Sequence, residues 1–465
     1  MKLLTLLLLI SSLFGRSIPQ GYISAIPSDI FIKEKIKTHF GVLEFYDAVP
    51  TQSSKEKIKD EYAYIQLSSL YFEYHEAIWL EILKEELKRL GVTPNEEIAI
   101  TASPISSKLL IPLLDPNRIY VVAPIDLKKS SLILQLPQTF SYGILLDHYG
   151  NKVAELDQNS TQLLYPPNSA KPAPSEIVSI GNIDKELQTI QSDTYTNFLF
   201  LQLPRKSDLS AFKSELKIIP KDTNITKTNS FIDISNKSVI ALLPKSARFF
   251  KILDNIIQND RVPKQKAEKL AVVSFIKGKP FAPDMHMRQV LQKSALSAGI
   301  IMQNTPTLYR LKSLSNPKDE KNLPDQGVKK ITLMFDEENA TLDGSKMYRL
   351  HLPPSIPAQS WSVTLYDTQT HAMLQNPLNL HPYILSQTEG IYYNEDGSID
   401  IHIVPQTEDT NQTNLLRTIP TKSFFVVVRF YKPQEHYFTQ KPHISLQSVE
   451  TNSTKREKKE EILIF

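Results

Sequence analysis

From Ser53 to Leu90 apolar residues recur at steps of three and four: Ile58, Tyr62 and Ile65, then Ile78, Ile82, Leu83, Leu87 and Leu90. That spacing places them on one face of a helix. A Ser53/Glu56 capping box opens the stretch and Gly91 is placed to stop it. It is long for one globular helix, so two helices broken near Ser68-Ser69 are expected. Trp79 reads as a core residue rather than a stacking platform for a ligand. From Ile119 the rhythm changes to short β-rich runs: Tyr120–Ala123, Leu132–Leu136, Tyr142–Asp147, Leu163–Tyr165 and Asn197–Leu203. Helical spacing returns over Asp208–Lys217 and Lys245–Ile257, the latter with a stripe of Phe249, Phe250, Leu253, Ile256 and Ile257. A third helix is capped by Asp284 and expected to end at Gly299. Beyond a polar, proline-containing stretch the chain is strand and turn: Met347–Leu352, Trp361–Asp367, Ser398–Val404 and Ser423–Tyr431. Asp343-Gly344 and Asp396-Gly397 are turn dipeptides whose glycines are expected to supply positive φ.

These elements predict an α+β, mostly β protein: two antiparallel β-sandwich or jelly-roll-like domains with a helical segment between them. The expected organisation is a signal peptide at residues 1–17 and an N-terminal β-rich domain with helical insertions at 18–302. A linker or long loop follows at 303–330, then a C-terminal β-sandwich at 331–450 and a charged tail at 451–465. The first expectation rests on Met1-Lys2, an apolar run from Leu3 to Ile10 and the small residues Ser11, Ser12 and Gly15. The run is too short to span a bilayer and fits a secretory signal, which places the protein in the periplasm or outside the cell, with no transmembrane segment once the signal is removed.

Composition narrows the chemistry. There is no cysteine, which removes disulfides, thiol nucleophiles and cysteine metal sites. A net charge of +3 with interspersed signs gives no concentrated basic face for nucleic acid. Only 13 glycines occur, and no G-x-G-x-x-G, P-loop or G-x-S-x-G elbow is present, so no cofactor is expected. No H-x-x-x-H or H-E-x-x-H pair exists, and Met285-His286-Met287 would point to different helix faces, so no metal is expected either.

The C-terminal third resembles a bacterial domain of unknown function, number 1214. The matching residues are Leu342-Asp343-Gly344-Ser345, Tyr348-Arg349-Leu350-His351, Trp361-Ser362-Val363-Thr364-Leu365-Tyr366-Asp367, Asn394-Glu395-Asp396-Gly397-Ser398 and Arg429-Phe430-Tyr431-Lys432-Pro433. The N-terminal part resembles its usual partner, domain of unknown function 1254. Gly41–Pro50 matches that family's opening and Lys277–Asp284 the motif before the connecting helix; Ile125-Asp126-Leu127 and Leu163–Pro167 match more loosely. The chain departs from the pattern at Asn117-Arg118-Ile119-Tyr120, at the glycine-free Ala154–Gln162, near Phe200 and at Asn414-Leu415. The resemblance implies two β-rich domains in an exported bacterial protein and no established substrate.

Candidate chemistry centres on two sets of residues. Asp367 at a strand end, with Arg429 and Tyr431 on one strand face, are the residues a hydrolase-like enzyme would use. The alternatives are strand-end hydrogen bonding for Asp367 and, for Arg429, pairing with an internal carboxylate rather than with an anionic ligand. Tyr120, Asp126, Lys277, Trp361 and Asp396 are the residues singled out for ligand binding. Against that, Asp396 serves a turn and Lys277 lies in a structural latch between domains. The leading expectation is a soluble exported protein that binds a small polar molecule, a saccharide or organic anion, in an inter-domain cleft. The alternatives are the hydrolase-like enzyme and an envelope-associated structural or interaction protein. Oligomeric state is not legible.

Overall fold

A computed structural model describes residues 27–180, 183–221, 228–308, 327–376, 380–407, 413–435, 437 and 442–449. The expected signal peptide, the charged tail and most of the expected linker lie outside the described residues. The fold is α+β and mostly β.

Two sheets face each other in the N-terminal part. One has six strands in the order Ser230–Asp233, Glu97–Ile100, Arg118–Asp126, Thr196–Pro204, Tyr142–Asp147, Lys152–Glu155. The other has five: Ser175–Ile180, Ile183–Gln191, Thr161–Tyr165, Leu132–Gln135, Lys217–Pro220. Alternation along Arg118–Asp126 turns Ile119, Val121, Ala123 and Ile125 into the space between the sheets, where they meet Leu132, Leu134, Leu199 and Leu201. Most strand pairs are antiparallel, as expected, with a few parallel exceptions. Ser230–Asp233 runs parallel to Glu97–Ile100, Thr161–Tyr165 to Ile183–Gln191, and Ile399–Pro405 to Leu415–Thr418. Ser230–Asp233 is separated from its neighbour by most of the N-terminal part, so it arrives by a long crossover rather than a hairpin.

Helix α1 (Gln52–Arg89) is a single helix of 38 residues, roughly 57 Å long at the standard rise. It is not broken at Ser68-Ser69, because Leu67, Leu70, Tyr71, Tyr74, Ala77 and Ile78 carry the apolar spacing straight through. Its N-cap is Thr51, whose hydroxyl accepts from the Ser54 amide, rather than the expected Ser53. Helix α2 (Leu209–Glu215) is capped by Asp208. Helices α3 (Arg248–Asn259), α4 (Lys264–Val272) and α5 (Met285–Leu308) complete the set. The five apolar residues of the α3 stripe are all buried against α1 and α5. Asp284 accepts from the Met287 amide at 2.7 Å, as a cap does. Gly299 does not end α5, which runs through Leu308 into the expected linker. A Cβ there would stand 2.7 Å from Lys245 Cγ and 2.9 Å from the Tyr71 hydroxyl, so this glycine permits close packing rather than termination.

The C-terminal sandwich pairs two four-stranded sheets. The inner sheet runs Val328–Leu333, Phe424–Pro433, Ala358–Asp367, Tyr383–Leu385; the outer runs Leu415–Thr418, Ile399–Pro405, Met347–Leu352, Ser445–Val449. Phe424, Val426, Val428 and Phe430 point between the two sheets with Trp361, Val363 and Leu365. The alternate positions Phe425, Val427 and Tyr366 point the other way and join Leu83, Leu87, Ile105, Leu109, Leu114 and Val122 of the N-terminal part in one apolar cluster. The inner sheet is therefore buried on both faces, and Phe424 to Tyr431 are buried without exception.

Gly397 has φ +84° and makes the expected turn, its amide donating to Asn394 O at 2.9 Å. Gly344 is different: its φ is not positive, and a Cβ would lie 2.1 Å from Ile419 O and 2.8 Å from Lys422 O. Because both obstacles are backbone, Gly344→Ala is expected to lose about 1–3 kcal/mol of unfolding free energy in urea titration. A change within a few tenths of a kcal/mol would mean that this crossing yields easily.

Candidate functional site

The register of the inner sheet sets a ladder of side chains facing the N-terminal part. Ser360 lies opposite Tyr431, Ser362 opposite Arg429, Thr364 opposite Val427 and Tyr366 opposite Phe425. The ladder grades from polar at one end to apolar at the other. Against it lies the segment from Ile105 to Arg118. Leu113 N donates to His371 O at 2.8 Å, Tyr366 Oη to Leu114 O at 2.5 Å, and Gln375 Nε2 to Ser107 O at 3.1 Å.

Asp115, on that segment, is the internal carboxylate. The Tyr431 hydroxyl donates to its Oδ1 at 2.6 Å, and the Asn117 amide donates to the same oxygen at 2.9 Å. Its Oδ2 lies 4.0 Å from both Arg429 Nε and Arg118 Nε. Arg429 is 7% exposed, donates from Nη2 to Leu113 O at 3.3 Å, and stands over the Tyr366 ring. Its Nη1 and the nearby Thr364 Oγ1 have no hydrogen-bond partner among the described residues. Burial opposes the charge on Arg429, but Tyr366 and Asp115 outweigh it and raise the pKa above the ordinary arginine value. Burial and the Asp115 charge push the Tyr431 phenol upward, so it stays a donor.

Beside this cluster a cleft of ≈ 480 Å³ opens between the two parts. Its N-terminal wall holds Asn117, Arg118, Arg205 and Lys206, and its C-terminal wall Gln359, Ser360, Ser386, Gln387, Tyr431 and Lys432. Four of these are cations and none is a carboxylate. Arg118 covers the Tyr431 ring at 5.4 Å. Arg205 directs Nη1 and Nη2 at five backbone carbonyls between 2.7 and 3.4 Å, so it braces the loops and contributes charge. Lys206 and Lys432 are exposed and have no ion-pair partner among the described residues. Across the mouth, Gln387 Nε2 donates to Asn117 Oδ1 at 2.8 Å.

The sequence-derived candidates fall in different places. Arg429 and Tyr431 converge, with the Tyr120 hydroxyl close by, accepting from the Asp115 amide at 2.8 Å. Asp367 does not join them. It lies five residues along the strand from Ser362, roughly 17 Å away at the usual rise. There it accepts from the amides of Gln369 and Thr370 and pairs with Lys422. Asp126 is at the far end of its strand from Arg118, accepting from Lys128 N at 2.8 Å. Lys277 donates to Gln258 O and Asp260 O, which ties the end of α3 to the following loop within the N-terminal part rather than joining the two parts. Trp361 is 5% exposed inside the C-terminal sandwich. Asp396 lines an open depression with Arg349, His351 and Asp400, and its Oδ1 accepts from the Ser398 amide and hydroxyl. Sequence reasoning missed Asp115, Arg118 and Lys206. The signal available was Arg429 itself, which required a carboxylate partner somewhere.

A second buried cluster was also missed. His148 is 2% exposed, with Nδ1 2.8 Å from Asp260 Oδ2 and Nε2 2.9 Å from Glu81 Oε2. Both ring nitrogens face a carboxylate, so the imidazole is doubly protonated. Burial alone would lower its pKa, but the two carboxylates raise it. Burial likewise pushes Glu81 and Asp260 up, and the bonds and charge of His148 outweigh it and hold both at about 2. Among the described residues no group of three or more His, Asp or Glu is arranged to hold a metal ion.

No curated protein matches the chain. Among solved structures, the chain is similar to the VPA0106 protein from Vibrio parahaemolyticus, at 15% identity and a TM-score of 0.43, over 83% of this chain and 100% of that one. It is also similar to a putative uncharacterized protein from Burkholderia cenocepacia, at 12% identity and a TM-score of 0.39, over 86% and 96%. Residues 328–435, most of the C-terminal sandwich, match the family model described as a protein of unknown function, DUF1214.

Proposed function

We propose that this is an exported binding protein that holds a small organic anion in the cleft between its two parts. The observation that carries the reading is the charge of the lining: Arg118, Arg205, Lys206 and Lys432 with no carboxylate among them. Arg118 and Arg205 are braced by Asp115 and by backbone carbonyls, whereas the exposed Lys206 and Lys432 have no counter-charge among the described residues, and the summed positive field of the four favours an anion. The cleft's ≈ 480 Å³ lies within the roughly 300–1,000 Å³ of small-molecule sites. Asp367 stands apart from Arg429 and Tyr431; the carboxylate that joins them is Asp115, which is buried and already accepts from the Tyr431 hydroxyl and the Asn117 amide, a structural arrangement that favours binding over hydrolysis.

The two-domain division is part of the same reading. It is supported by the sheets, since among the described residues no strand before residue 309 pairs with one after residue 326. Pairing with domain of unknown function 1254 rests on Gly41–Pro50 and Lys277–Asp284. Export rests on the Met1–Ile10 pattern and the absence of cysteine; among the described residues no helix is long and apolar enough to cross a membrane.

Calorimetric titration with citrate tests the binding. Saturable binding that weakens as salt rises is expected. Lys206→Glu and Lys432→Glu should each weaken it by roughly five- to tenfold, since each reverses an exposed charge beside the ligand. Binding indifferent to salt and to both substitutions would remove the basis for an anion site.

A further inference from the structure

The two walls of the cleft differ in chemistry. The N-terminal wall is cationic, through Arg118, Arg205 and Lys206. The C-terminal wall is chiefly neutral and rich in hydrogen-bonding groups: Gln359, Ser360, Ser386 and Gln387, with Lys432 at its edge. Gln359 and Ser360 have no side-chain partner among the described residues, and Ser360 stands on the same ladder rung as Tyr431. The Gln387–Asn117 bridge uses one donor and one acceptor, which leaves the Gln387 carbonyl oxygen and the Asn117 amide hydrogens for a ligand.

We infer that the ligand is a polyhydroxylated anion of the uronic-acid type, with its carboxylate toward Arg118 and Lys206 and its ring hydroxyls toward Gln359, Ser360 and Gln387. This rests on the cleft being an anion site and adds the substrate class. A compact polycarboxylate satisfies the cationic wall and leaves the amide and hydroxyl wall facing groups that cannot donate to it. A neutral sugar does the reverse. An acidic saccharide is the chemistry that answers both walls at once: sugar hydroxyls both donate and accept, which suits side-chain amides and serines, and a carboxylate suits a guanidinium.

Titration with digalacturonate, citrate and maltose separates the alternatives. Digalacturonate, with two carboxylates, is expected to bind at least about tenfold more tightly than citrate, with three, and than maltose, with none. Gln387→Ala and Gln359→Ala should each weaken digalacturonate by about three- to tenfold and weaken citrate by clearly less, at an unaltered melting temperature. Lys206→Glu should weaken both anions. Citrate binding as tightly as digalacturonate, or maltose matching it, overturns the saccharide inference while leaving an anion site in place. Failure of both anions to bind overturns the anion reading beneath it.

Discussion

His148→Phe is expected to destabilise the protein by about 3–5 kcal/mol, as removal of one member of a buried, hydrogen-bonded ionic group does. The substitution leaves the Glu81 and Asp260 carboxyls, with side-chain exposures of 4% and 1%, facing a hydrocarbon ring. Asp260 would keep the amides of Tyr195, Thr196 and Arg261, and Glu81 would keep Lys84, so the loss falls mainly on the imidazolium contacts. Urea unfolding measures it; a loss under about 1 kcal/mol would mean that these neighbours suffice without the histidine.

The same group fixes a pH dependence with a definite sign. His148 has a raised pKa, so folding favours its protonated form. Its contribution is complete below the ordinary histidine value near 6.5 and is lost as pH rises toward the folded value, by up to about 1.4 kcal/mol per pH unit. Glu81 and Asp260 are depressed to about 2. Their contribution is complete above the ordinary carboxylate range near 4 and is lost as pH falls toward 2. Stability from this junction should therefore peak between roughly pH 4.5 and 6.5 and decline on the alkaline side. In His148→Phe the alkaline decline should flatten, which guanidinium or urea midpoints at pH 6, 7 and 8 would reveal.

The second large effect concerns Asp115. Its Oδ2 lies 4.0 Å from Arg429 Nε, where a charge pair at an effective dielectric of 20 is worth about 4 kcal/mol. Asp115→Asn should therefore lose about 3 kcal/mol or more, because Arg429 stays buried and charged without its carboxylate. Adding Arg429→Met should restore much of that loss, since an apolar replacement removes the uncompensated charge. The single substitution should also strengthen anion binding, because it deletes the negative charge behind Arg118. A destabilised protein that binds citrate more tightly separates this from general unfolding, which weakens binding. A variant of unchanged stability would mean that Asp115 is not Arg429's counter-charge.

Much of the architecture was legible because it rests on local periodicity. The strands around Tyr142–Asp147, Met347–Leu352 and Trp361–Asp367, and the α3 stripe from Phe249 to Ile257, follow directly from alternation or three-four spacing. What was not legible depends on which distant segments meet. Ser68-Ser69 looks like a break until Tyr71 and Tyr74 are seen to pack on α3 and α5. Gly299 looks like a stop until Tyr71 and Lys245 crowd it. The need of Arg429 for a carboxylate could be read from its apolar strand. That the carboxylate is Asp115, more than 300 positions earlier by the separation of 316 between Asp115 and Tyr431, could not. The cleft depends on the same meeting and was visible only as an expectation that two domains enclose one.

The inner C-terminal sheet carries a further consequence for how such a chain can be made and inherited. Tyr366, Phe425 and Val427 have no water-facing role to fall back on when the first 300 residues are missing. The sandwich is thus no portable cassette. Produced alone it would offer a sticky, partly charged plate to any neighbour, and during synthesis that plate emerges only after its cover has been translated. The order of the halves along the polypeptide protects the second from aggregation.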